Sequence, residues 1–369
     1  MEYTEERVQS IIKAAPLIRH VGTETASQNG SIFFFFDEDH LSHAVDSLRR
    51  IKKPPLVTLL RKKRALREIA ADVGFRVIPL GPAMDCIGRD LVMCVHAEAR
   101  KTNHLIRTAQ NRGRETYWIS SARNQQGHPN LLKDSKEKIL RIVNGLTDEE
   151  SVFCYLCRLK GLIHGHAGYL RMSAYSQYFH PIVGPREGDI ICEGGIGGSA
   201  NTTILFGRHV GESGKVFGFE PVNHLYELAT ARTAAFPHIV IENMGLWSKP
   251  SEMEIYLAEQ VSTLRRTEIH GDKPKQACKV TSIDNYFAGR NVLPTMIKLD
   301  IEGAEQDALK GAVNTIAEAK PKLQICLYHS IRDFIDIPLS IMDSNLGYKL
   351  FVGHHTPYMN ECLLYAIAG

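Results

Sequence analysis

One run of small and apolar residues constrains the fold more than any other stretch of the chain: Gly188-Asp189-Ile190-Ile191-Cys192-Glu193-Gly194-Gly195-Ile196-Gly197-Gly198-Ser199. The apolar segment 190–192 is typical of a strand covered on both faces. The glycines after it form a bend where a ligand can approach the backbone without meeting a Cβ atom. The pattern from Ala200 to Phe206 then predicts a helix. Strand, turn and helix together indicate a nucleotide-binding α/β unit.

The position of the acidic residue relative to the glycines distinguishes the two classes of cofactor that bind at such a turn. Gly195, Gly197 and Ala200 match G-x-G-x-x-A, the dinucleotide pattern, in which the acid lies on the next strand. Here Glu193 comes directly before the glycines and gives E-x-G-x-G, a pattern associated with S-adenosylmethionine (SAM). A carboxylate at that point attracts the cationic methionyl end of SAM and would repel a pyrophosphate. The residues therefore favour SAM, with a nicotinamide cofactor or a turn without ligand as alternatives.

Length and composition restrict the class of protein. A chain of 369 residues predicts two domains, and 44% hydrophobic and 23% charged residues with a net charge of +3 are typical of a globular protein. No apolar stretch approaches the ~20 residues of a membrane span, and residues 1–6 lack the basic start and apolar core of a secretion signal. We therefore expect a cytoplasmic protein with no membrane partner.

The eight cysteines predict a reduced protein rather than a disulfide framework. Four of them lie in apolar, strand-like runs: Cys94, Cys192, Cys326 and Cys362. Cys154-x-x-Cys157 with His164 and His166 is the one arrangement that suggests zinc, but its spacing does not match common structural sites. We predict instead a helix that carries two cysteines near one face.

Residues 1–145 show a second alternation of strands and helices. Strand patterns occur at 31–36, 56–60, 75–80, 91–95 and 115–119, and helix patterns at 41–51, 65–73 and 99–111. This alternation predicts a small α/β domain of unknown role, opened by a short helix between Thr4 and Pro16. The basic run Arg61-Lys62-Lys63-Arg64 is either a contact for an anionic partner or a solvated face. Since no aromatic residues interleave it, we predict no nucleic-acid partner.

Residues 146–185 form a helical linker or lid between the two domains. Thr147 and Glu150 have the spacing of a capping box and predict a helix through Leu159. Tyr178 and His180 come shortly before the glycine-rich strand. Aromatic residues at this point either cover the cofactor cleft or attach the linker to the sheet, and we predict that these two contact the substrate.

Two further strands of the C-terminal half end in residues suited to an adenosyl group. The strand 215–219 ends at Glu220-Pro221, where a carboxylate can accept hydrogen bonds from both ribose hydroxyls. The strand 238–241 is followed by Asn243-Met244-Gly245, at the place where an adenine ring would lie.

Acids crowd the edge of the sheet where the strand 295–299 ends in Asp300-Ile301-Glu302-Gly303-Ala304-Glu305. Open α/β sheets hold their ligands at this edge. Glu305 at the start of a helix is also explained by the helix dipole, so Asp300 is the better functional candidate. The strand 323–328 ends above the same edge with Tyr328-His329.

The last strands decide the architecture. The segments 347–353 and 361–368 predict an antiparallel hairpin, after a helix beginning at Pro338, and 252–257 and 278–283 predict extra strands around a polar loop. The predicted fold is therefore α/β: a C-terminal, doubly wound, Rossmann-like sheet over 186–369 with an antiparallel last strand, preceded by the smaller α/β domain. This ending fits a methyltransferase better than a dehydrogenase.

Over about residues 175 to 369 the chain resembles the FkbM family of SAM-dependent methyltransferases. The motifs that carry the resemblance are Glu193-Gly194-Gly195-Ile196-Gly197-Gly198-Ser199, Phe219-Glu220-Pro221, Ile297-Lys298-Leu299-Asp300-Ile301-Glu302-Gly303-Ala304-Glu305, Leu327-Tyr328-His329, Gly347-Tyr348-Lys349-Leu350 and Leu363-Leu364-Tyr365-Ala366. The family usually has Asp where this chain has Glu193, and a glutamate can do the same work. Members with an additional N-terminal α/β domain resemble the whole layout.

The resemblance implies O-methylation of a hydroxyl on a glycan or on a small molecule like a secondary metabolite. We predict His329 as the general base, with Asp300 or Glu302 as the other catalytic candidates. A divalent cation held by Asp300, Glu302 and Glu305 is the lesser alternative, and we predict no metal, because the sequence offers no separate ligand set. The chain is compatible with a homo-oligomer.

The predicted SAM-binding residues are Glu193, Gly195, Gly197, Asn201, Glu220, Pro221, Asn243, Met244, Gly245 and Asp300, and the predicted substrate-binding residues are Tyr178, His180, Tyr328 and His354.

Overall fold

The computed structural model describes residues 2–14, 127–165, 170–257, 264, 274–356 and 359–369, and the backbone of four short strands between residues 56 and 118. Several predicted features lie outside the described residues: the strand 31–36, the helices 41–51, 65–73 and 99–111, and the basic run Arg61 to Arg64. No helix within the described ranges is long and apolar enough to cross a membrane.

Before residue 127, the described residues form one helix and two pairs of strands. The helix α1 spans Glu5–Ala14, and the backbone N–H of Arg7 donates to Thr4 Oγ1 at 3.3 Å, as expected for the residue that caps it. The strands are β1 Leu56–Thr58, β2 Arg76–Ile78, β3 Val92–Cys94 and β4 Thr116–Trp118. β1 pairs with β2 and β3 with β4, both in parallel, and each strand lies inside a predicted one.

Between residue 127 and the large sheet, the described residues form three helices: α2 Leu131–Asp134, α3 Lys136–Gly145 and α4 Glu149–His164. The predicted capping box is wrong by one residue. The cap of α4 is Asp148, whose side chain accepts a hydrogen bond from the Ser151 N–H at 2.7 Å, since a carboxylate one residue closer to the first turn satisfies its free donors. The predicted helix therefore exists, and it runs five residues beyond Leu159 to His164.

The remaining described elements follow in this order along the chain: β5 Ile190–Gly194, α5 Asn201–Val210, β6 Lys215–Phe219, α6 Asn223–Thr233, β7 Ile239–Glu242, β8 Gly245–Leu246, β9 Ser251–Tyr256, β10 Lys275–Thr281, α7 Ile283–Phe287, β11 Met296–Leu299, α8 Glu305–Lys310, α9 Val313–Ala319, β12 Lys322–Cys326, α10 Ile331–Asp343, β13 Tyr348–His354 and β14 Cys362–Ala368. Seven strands form one sheet in the order β13-β14-β12-β11-β5-β6-β7. Pairing is parallel except at β14, which is antiparallel to both neighbours. The predicted fold class is confirmed.

The central strands of the sheet are buried because their residues are mostly apolar. β11 and β12 are buried at every residue, as continuous apolar runs are when helices cover both faces of a parallel sheet. A separate small sheet, in the order β8-β10-β9, contains the two extra strands. β10 ends at Thr281 rather than 283, because Ser282 caps α7 and accepts a hydrogen bond from the Asn285 N–H.

The helix predicted to begin at Pro338 begins at Ile331 instead. The Ser330 hydroxyl caps α10 by accepting from the Asp333 N–H at 3.0 Å, and Pro338 lies inside the helix. A proline there removes the donor that the Phe334 carbonyl needs. The Tyr155 hydroxyl of α4 lies 3.4 Å from that carbonyl and replaces the donor, so a contact distant in sequence allows the helix to continue.

One hydrophobic core joins the parts on either side of residue 145. The same buried cluster contains Tyr3 and Val8 of the N-terminal segment, Ile139 of α3, Leu156 of α4 and one face of the seven-stranded sheet. The domain limits at 145 and 185 stay predictions, and packing of the described residues is continuous across both.

The stacked pair Tyr155 and Phe334 provides a test of this packing. Their rings lie 4.2 Å apart at an angle of 7°, and Phe334 is 1% exposed. We expect Phe334→Ala to lower the free energy of unfolding by about 3–5 kcal/mol, because a cavity replaces the ring. Urea unfolding of the full chain measures the change. Val313→Ala, at a residue 60% exposed, is the control, with an expected change within about 0.5 kcal/mol; equal effects of the two variants would contradict the assignment.

Candidate functional site

A cavity of about 350 Å³ opens at the edge of the sheet where β5, β6 and β11 end. This volume is within the range of small-molecule sites, roughly 300–1,000 Å³. Half of the sixteen predicted site residues line it: Tyr178, Gly195, Gly197, Glu220, Pro221, Gly245, Asp300 and Glu302. The segments that contribute them are far apart in sequence, so the topology of the sheet creates the site.

The glycine turn after β5 forms the floor of the cavity. Gly195 and Gly197 have φ values of +75° and +61°, in the region that favours glycine. A Cβ atom on Gly195 would lie 1.7 Å from the carbonyl oxygen of Asp300. Gly195 is therefore required by the close approach of the β11 end, and this position tolerates no side chain.

Glu220 closes the turn from the neighbouring strand. Its Oε2 accepts from the Gly197 N–H at 3.0 Å and its Oε1 from the Val222 N–H at 3.0 Å. Burial raises the pKa of this carboxyl, while the two backbone donors act in the opposite direction. Each oxygen of a carboxylate has two acceptor positions, so Glu220 holds the turn and can still accept hydrogen bonds from a ligand.

The structure corrects the position of Glu193. This side chain is completely buried and does not line the cavity; it faces the ammonium group of Lys298, with 3.6 Å between Oε1 and Nζ. Lys298, which the sequence did not single out, lines the cavity. The sequence feature that could have identified Lys298 is the presence of a lysine within the apolar strand 295–299. A charge in a strand buried on both faces needs a partner, and Glu193 is that partner.

Lys298 holds the glycine turn from below. Its Nζ donates to the carbonyls of Gly194 at 3.2 Å and Gly195 at 2.8 Å, and lies 5.1 Å from the centre of the Tyr178 ring. Burial lowers the pKa of the lysine, but Glu193 and Asp300 outweigh it and raise the pKa above its ordinary value. Lys298 therefore stays charged and fixes the turn.

Asp300 joins the tips of β11 and β12 to the linker. Its Oδ2 accepts from the Tyr178 hydroxyl at 2.7 Å and its Oδ1 from the Tyr328 hydroxyl at 2.8 Å. Burial would raise the pKa of this carboxyl, but Lys298, His329 and the two tyrosines bring it below its ordinary value. Asp300 is consequently an ionised group on the cavity wall, with Tyr328 behind it.

His329 lies between three carboxylates. Its Nδ1 is 2.9 Å from Glu305 Oε1, and its Nε2 is 3.0 Å from Glu302 Oε2 and 3.5 Å from Asp300 Oδ1. Although burial lowers the pKa of the imidazole, these carboxylates raise it well above its usual value. An imidazolium has no lone pair to accept a proton, so this arrangement does not support the predicted role of His329 as the general base.

Three predicted cofactor-binding residues besides Glu193 lie outside the cavity wall: Asn201, Asn243 and Met244. Asn201 is exposed at the start of α5, and Asn243 donates to the Glu220 carbonyl at 3.1 Å, which supports Glu220 from behind. Met244 lines a different cavity with Glu242 and Tyr286, and of the predicted adenine segment only Gly245 faces the main cavity. Sequence placed these residues at the right strand ends, but the direction of each side chain depends on the turn that follows.

The two predicted substrate-binding histidines are buried in the packing of the linker. His180 Nδ1 accepts from the N–H groups of Ile182 and Val183 at 3.1 and 3.2 Å, and burial lowers its pKa to about 4. His354 is completely buried at the end of β13. Neither lines the cavity, because both belong to the packing that attaches the linker to the sheet, which was the alternative interpretation of the aromatic segment.

Glu361 is a cavity residue that the sequence did not indicate. It lies just before β14 with φ +61°, lines the cavity and accepts a hydrogen bond from the Gln177 amide. Burial and the nearby Asp300 raise its pKa to about 7. No local pattern distinguished it, since its position depends on the pairing of β14 with β12. It is the carboxylate in the cavity best suited to exchange a proton near neutral pH.

Residues 187–362 match the family model of the methyltransferase FkbM domain. This part of the chain is an FkbM methyltransferase domain. A sequence comparison with curated proteins gives no significant match.

Solved structures resemble the fold at low sequence identity. The methyltransferase FkbM from Methylobacillus flagellatus KT is 16% identical, with 98% of each chain covered and a TM-score of 0.56. Fibrillarin from Aeropyrum pernix, solved with SAM, is 13% identical over 49% of this chain and 67% of its own, with a TM-score of 0.33. A SAM-dependent O-methyltransferase from Thermotoga maritima is 15% identical over 50% and 60%, with a TM-score of 0.29. The first of these shows that the FkbM domain has the fold of its family.

The buried pair of Lys298 and Glu193 can be tested by a double-mutant cycle. Lys298→Met leaves the Glu193 carboxylate buried without its partner, and removal of one member of such a pair typically costs about 3–5 kcal/mol. Adding Glu193→Gln should restore a large part of that loss in chemical denaturation. Lys310→Met, in an exposed ion pair with Asp307, is the matched control and should have little effect. Additive effects of the two buried substitutions would show that they do not interact.

Proposed function

We propose that this chain is a SAM-dependent methyltransferase that transfers a methyl group to a hydroxyl oxygen of a small molecule, either a glycan or a compound like a secondary metabolite. The observation that carries the proposal is the shared cavity of the glycine turn, Glu220 and Asp300, at the edge where this fold holds its ligands. The FkbM domain supports the methyl transfer, and the acceptor class follows from the family resemblance.

The walls of the cavity suit the parts of SAM. Glu220 keeps free acceptor positions for the ribose hydroxyls, and the glycines allow the methionyl part to approach the backbone. Leu225, Leu246 and Ile255 supply apolar surface beside Glu220 for an adenine ring. Glu193, which we predicted to contact the methionyl end, has a different role here: it keeps Lys298 in place beneath the turn.

The charge of the cavity favours SAM over a nicotinamide dinucleotide. Four carboxylates line it, from Glu220, Asp300, Glu302 and Glu361, against the single ammonium of Lys298 among the described lining residues. A sulfonium is attracted to this wall, whereas a pyrophosphate is repelled. The same charge argues against a nucleic-acid partner, because phosphates bind to basic surfaces.

The transfer needs alignment and removal of one proton. In-line displacement places the acceptor oxygen, the methyl carbon and the sulfur on one axis, which is a matter of positioning. The acceptor proton must leave as the oxygen–carbon bond forms. We propose Glu361 for this step in place of His329, because its pKa of about 7 lets it accept a proton at neutral pH. Asp300 and Tyr178 would then orient the acceptor.

The cofactor is tested by ligand-induced stabilisation of the purified chain. We expect SAM and S-adenosylhomocysteine to raise the melting temperature and NAD to leave it unchanged. Stabilisation by NAD alone would indicate an oxidoreductase, and no shift with any of the three would indicate a binding protein without this activity.

The role of Glu220 is tested by calorimetry. Glu220→Gln keeps the side-chain size but removes the charge, and Glu220→Ala removes the acceptors; we expect the dissociation constant for SAM to rise about 10-fold or more for Ala and less for Gln, by loss of charge-assisted hydrogen bonds. Glu252→Ala, on the exposed part of β9, is the control. Wild-type affinity in both Glu220 variants, with folding verified by circular dichroism, would remove the ribose role.

Glu361 predicts how SAM binding depends on pH. Below pH 7 the carboxyl is protonated and neutral, and above it the carboxylate attracts the sulfonium, so we expect affinity for SAM to rise several-fold between pH 6 and 8. S-adenosylhomocysteine lacks the sulfonium and should show a smaller rise. Glu361→Gln should flatten the difference between the two ligands. The same pH profile in the variant and the wild type would exclude Glu361 as the titrating group.

A further inference from the structure

We infer that Asp300, Glu302 and His329 bind one divalent transition-metal cation on the wall of the cavity. These residues offer one ligand atom each, and the three atoms lie within 4.8 Å of one another. They are the same three side chains that the sequence indicated as catalytic candidates. The site lies in the same cavity as the glycine turn and Glu220, which hold the proposed cofactor, but it uses different side chains.

The two distances from the imidazole to the carboxylates match those between ligands of a single cation. His329 Nε2 lies 3.0 Å from Glu302 Oε2 and 3.5 Å from Asp300 Oδ1. Ligands about 2.1 Å from a metal are about 3.0 Å apart at right angles and about 3.4 Å apart at a tetrahedral angle. The two distances from Nε2 therefore suit a cation held between His329 and the two carboxylates.

The fold positions the ligands on rigid elements. Asp300 follows β11 directly, and His329 comes three residues after the end of β12. The two strands are adjacent and parallel in the sheet, so their ends meet at one edge. Asp300 Oδ1 accepts one hydrogen bond, from Tyr328, and keeps a second acceptor position.

Glu305 orients the imidazole in the way that metal-binding histidines require. Its Oε1 faces His329 Nδ1 at 2.9 Å and accepts from the Ile301 N–H at 2.8 Å, and the side chain is completely buried. A histidine that binds a metal usually gives its other ring N–H to a carboxylate, which fixes the tautomer. With Nδ1 facing Glu305, Nε2 is left on the side of Asp300 and Glu302, where a cation would replace its proton.

The charge around the cluster is an independent argument for a cation. Glu361 and Glu220 line the same cavity as Asp300 and Glu302, and Lys298 is already engaged by Glu193 and two backbone carbonyls. Among the described lining residues, no other basic side chain balances these carboxylates. A divalent cation in place of the Nε2 proton of His329 brings two positive charges to Asp300 and Glu302, where the imidazolium brings one.

The ligand set indicates which cations fit. Carboxylates suit Mg²⁺ and Mn²⁺, and imidazole suits the later first-row metals, so one imidazole with two carboxylates favours Mn²⁺ or Fe²⁺ over Mg²⁺. If the proposed methyl transfer is correct, the cation would hold the acceptor hydroxyl and lower its pKa. Glu361, on the same wall, would then take the proton.

The test is binding of Mn²⁺ alone to the full chain after treatment with a chelator, measured by electron paramagnetic resonance of free Mn²⁺. We expect saturable binding of one ion per chain. Glu302→Gln and His329→Gln should each raise the dissociation constant 10-fold or more, and Glu305→Gln should raise it about 10- to 100-fold through loss of orientation of the imidazole. Glu252→Gln, at an exposed position of β9, should bind like the wild type. Circular dichroism melts show that each variant is folded.

Two results would overturn the inference. Absence of saturable binding up to millimolar Mn²⁺ would mean that the cluster is an ion pair between an imidazolium and carboxylates. Equal affinity in wild type, Glu302→Gln and His329→Gln would place the ion elsewhere. The readout is independent of SAM: a chain that binds Mn²⁺ through these residues but not SAM contradicts the proposed function alone, and one that binds SAM but not Mn²⁺ contradicts only the metal site.

Discussion

The ammonium group of Lys298 is the interaction on which the rest of the site depends. It lies inside the sheet, 2% exposed, beside a Glu193 carboxylate that is itself completely buried, and it donates to two carbonyls of the glycine turn. Removing either charge from water costs free energy, and the attraction between the two charges offsets part of that cost. The pair therefore joins β5 to β11 at the point where the chain must bend, so that the turn keeps its shape before any ligand binds.

The same edge is tied together a second time by Asp300. Its backbone carbonyl lies so close to Gly195 that no other residue fits there, and its carboxylate accepts hydrogen bonds from Tyr178 and Tyr328. The linker, β11 and the end of β12 thus share one polar network next to the turn. A preorganised site of this kind loses little entropy when a ligand binds, and this makes the edge suitable for precise alignment of a donor and an acceptor.

Sequence predicted the strands of the large sheet to within a few residues, because the apolar runs of β5, β11 and β12 are long and their ends are marked by glycine and acids. The sequence was a less accurate guide where a residue distant along the chain determines the local structure. Pro338 does not begin a helix because Tyr155 compensates for its missing donor. Glu193 was expected in the cavity and Lys298 was overlooked, since spacing locates a strand end but not the direction in which buried side chains pair. Glu361 reaches the cavity only through the pairing of β14, which no local pattern reveals.

The three carboxylates around His329 show why a residue type at the right place does not by itself define its role. A histidine at the end of a strand beside a cavity is a reasonable base from the sequence, yet its pKa and its free lone pair depend on Asp300, Glu302 and Glu305, which the fold brings to within 3.5 Å. With a proton on Nε2 the group is an ion pair, and with a cation there it is a metal ligand. In neither state does the imidazole have a free Nε2 lone pair to accept a proton, and this is why the proposed base is Glu361, whose pKa is raised to about 7.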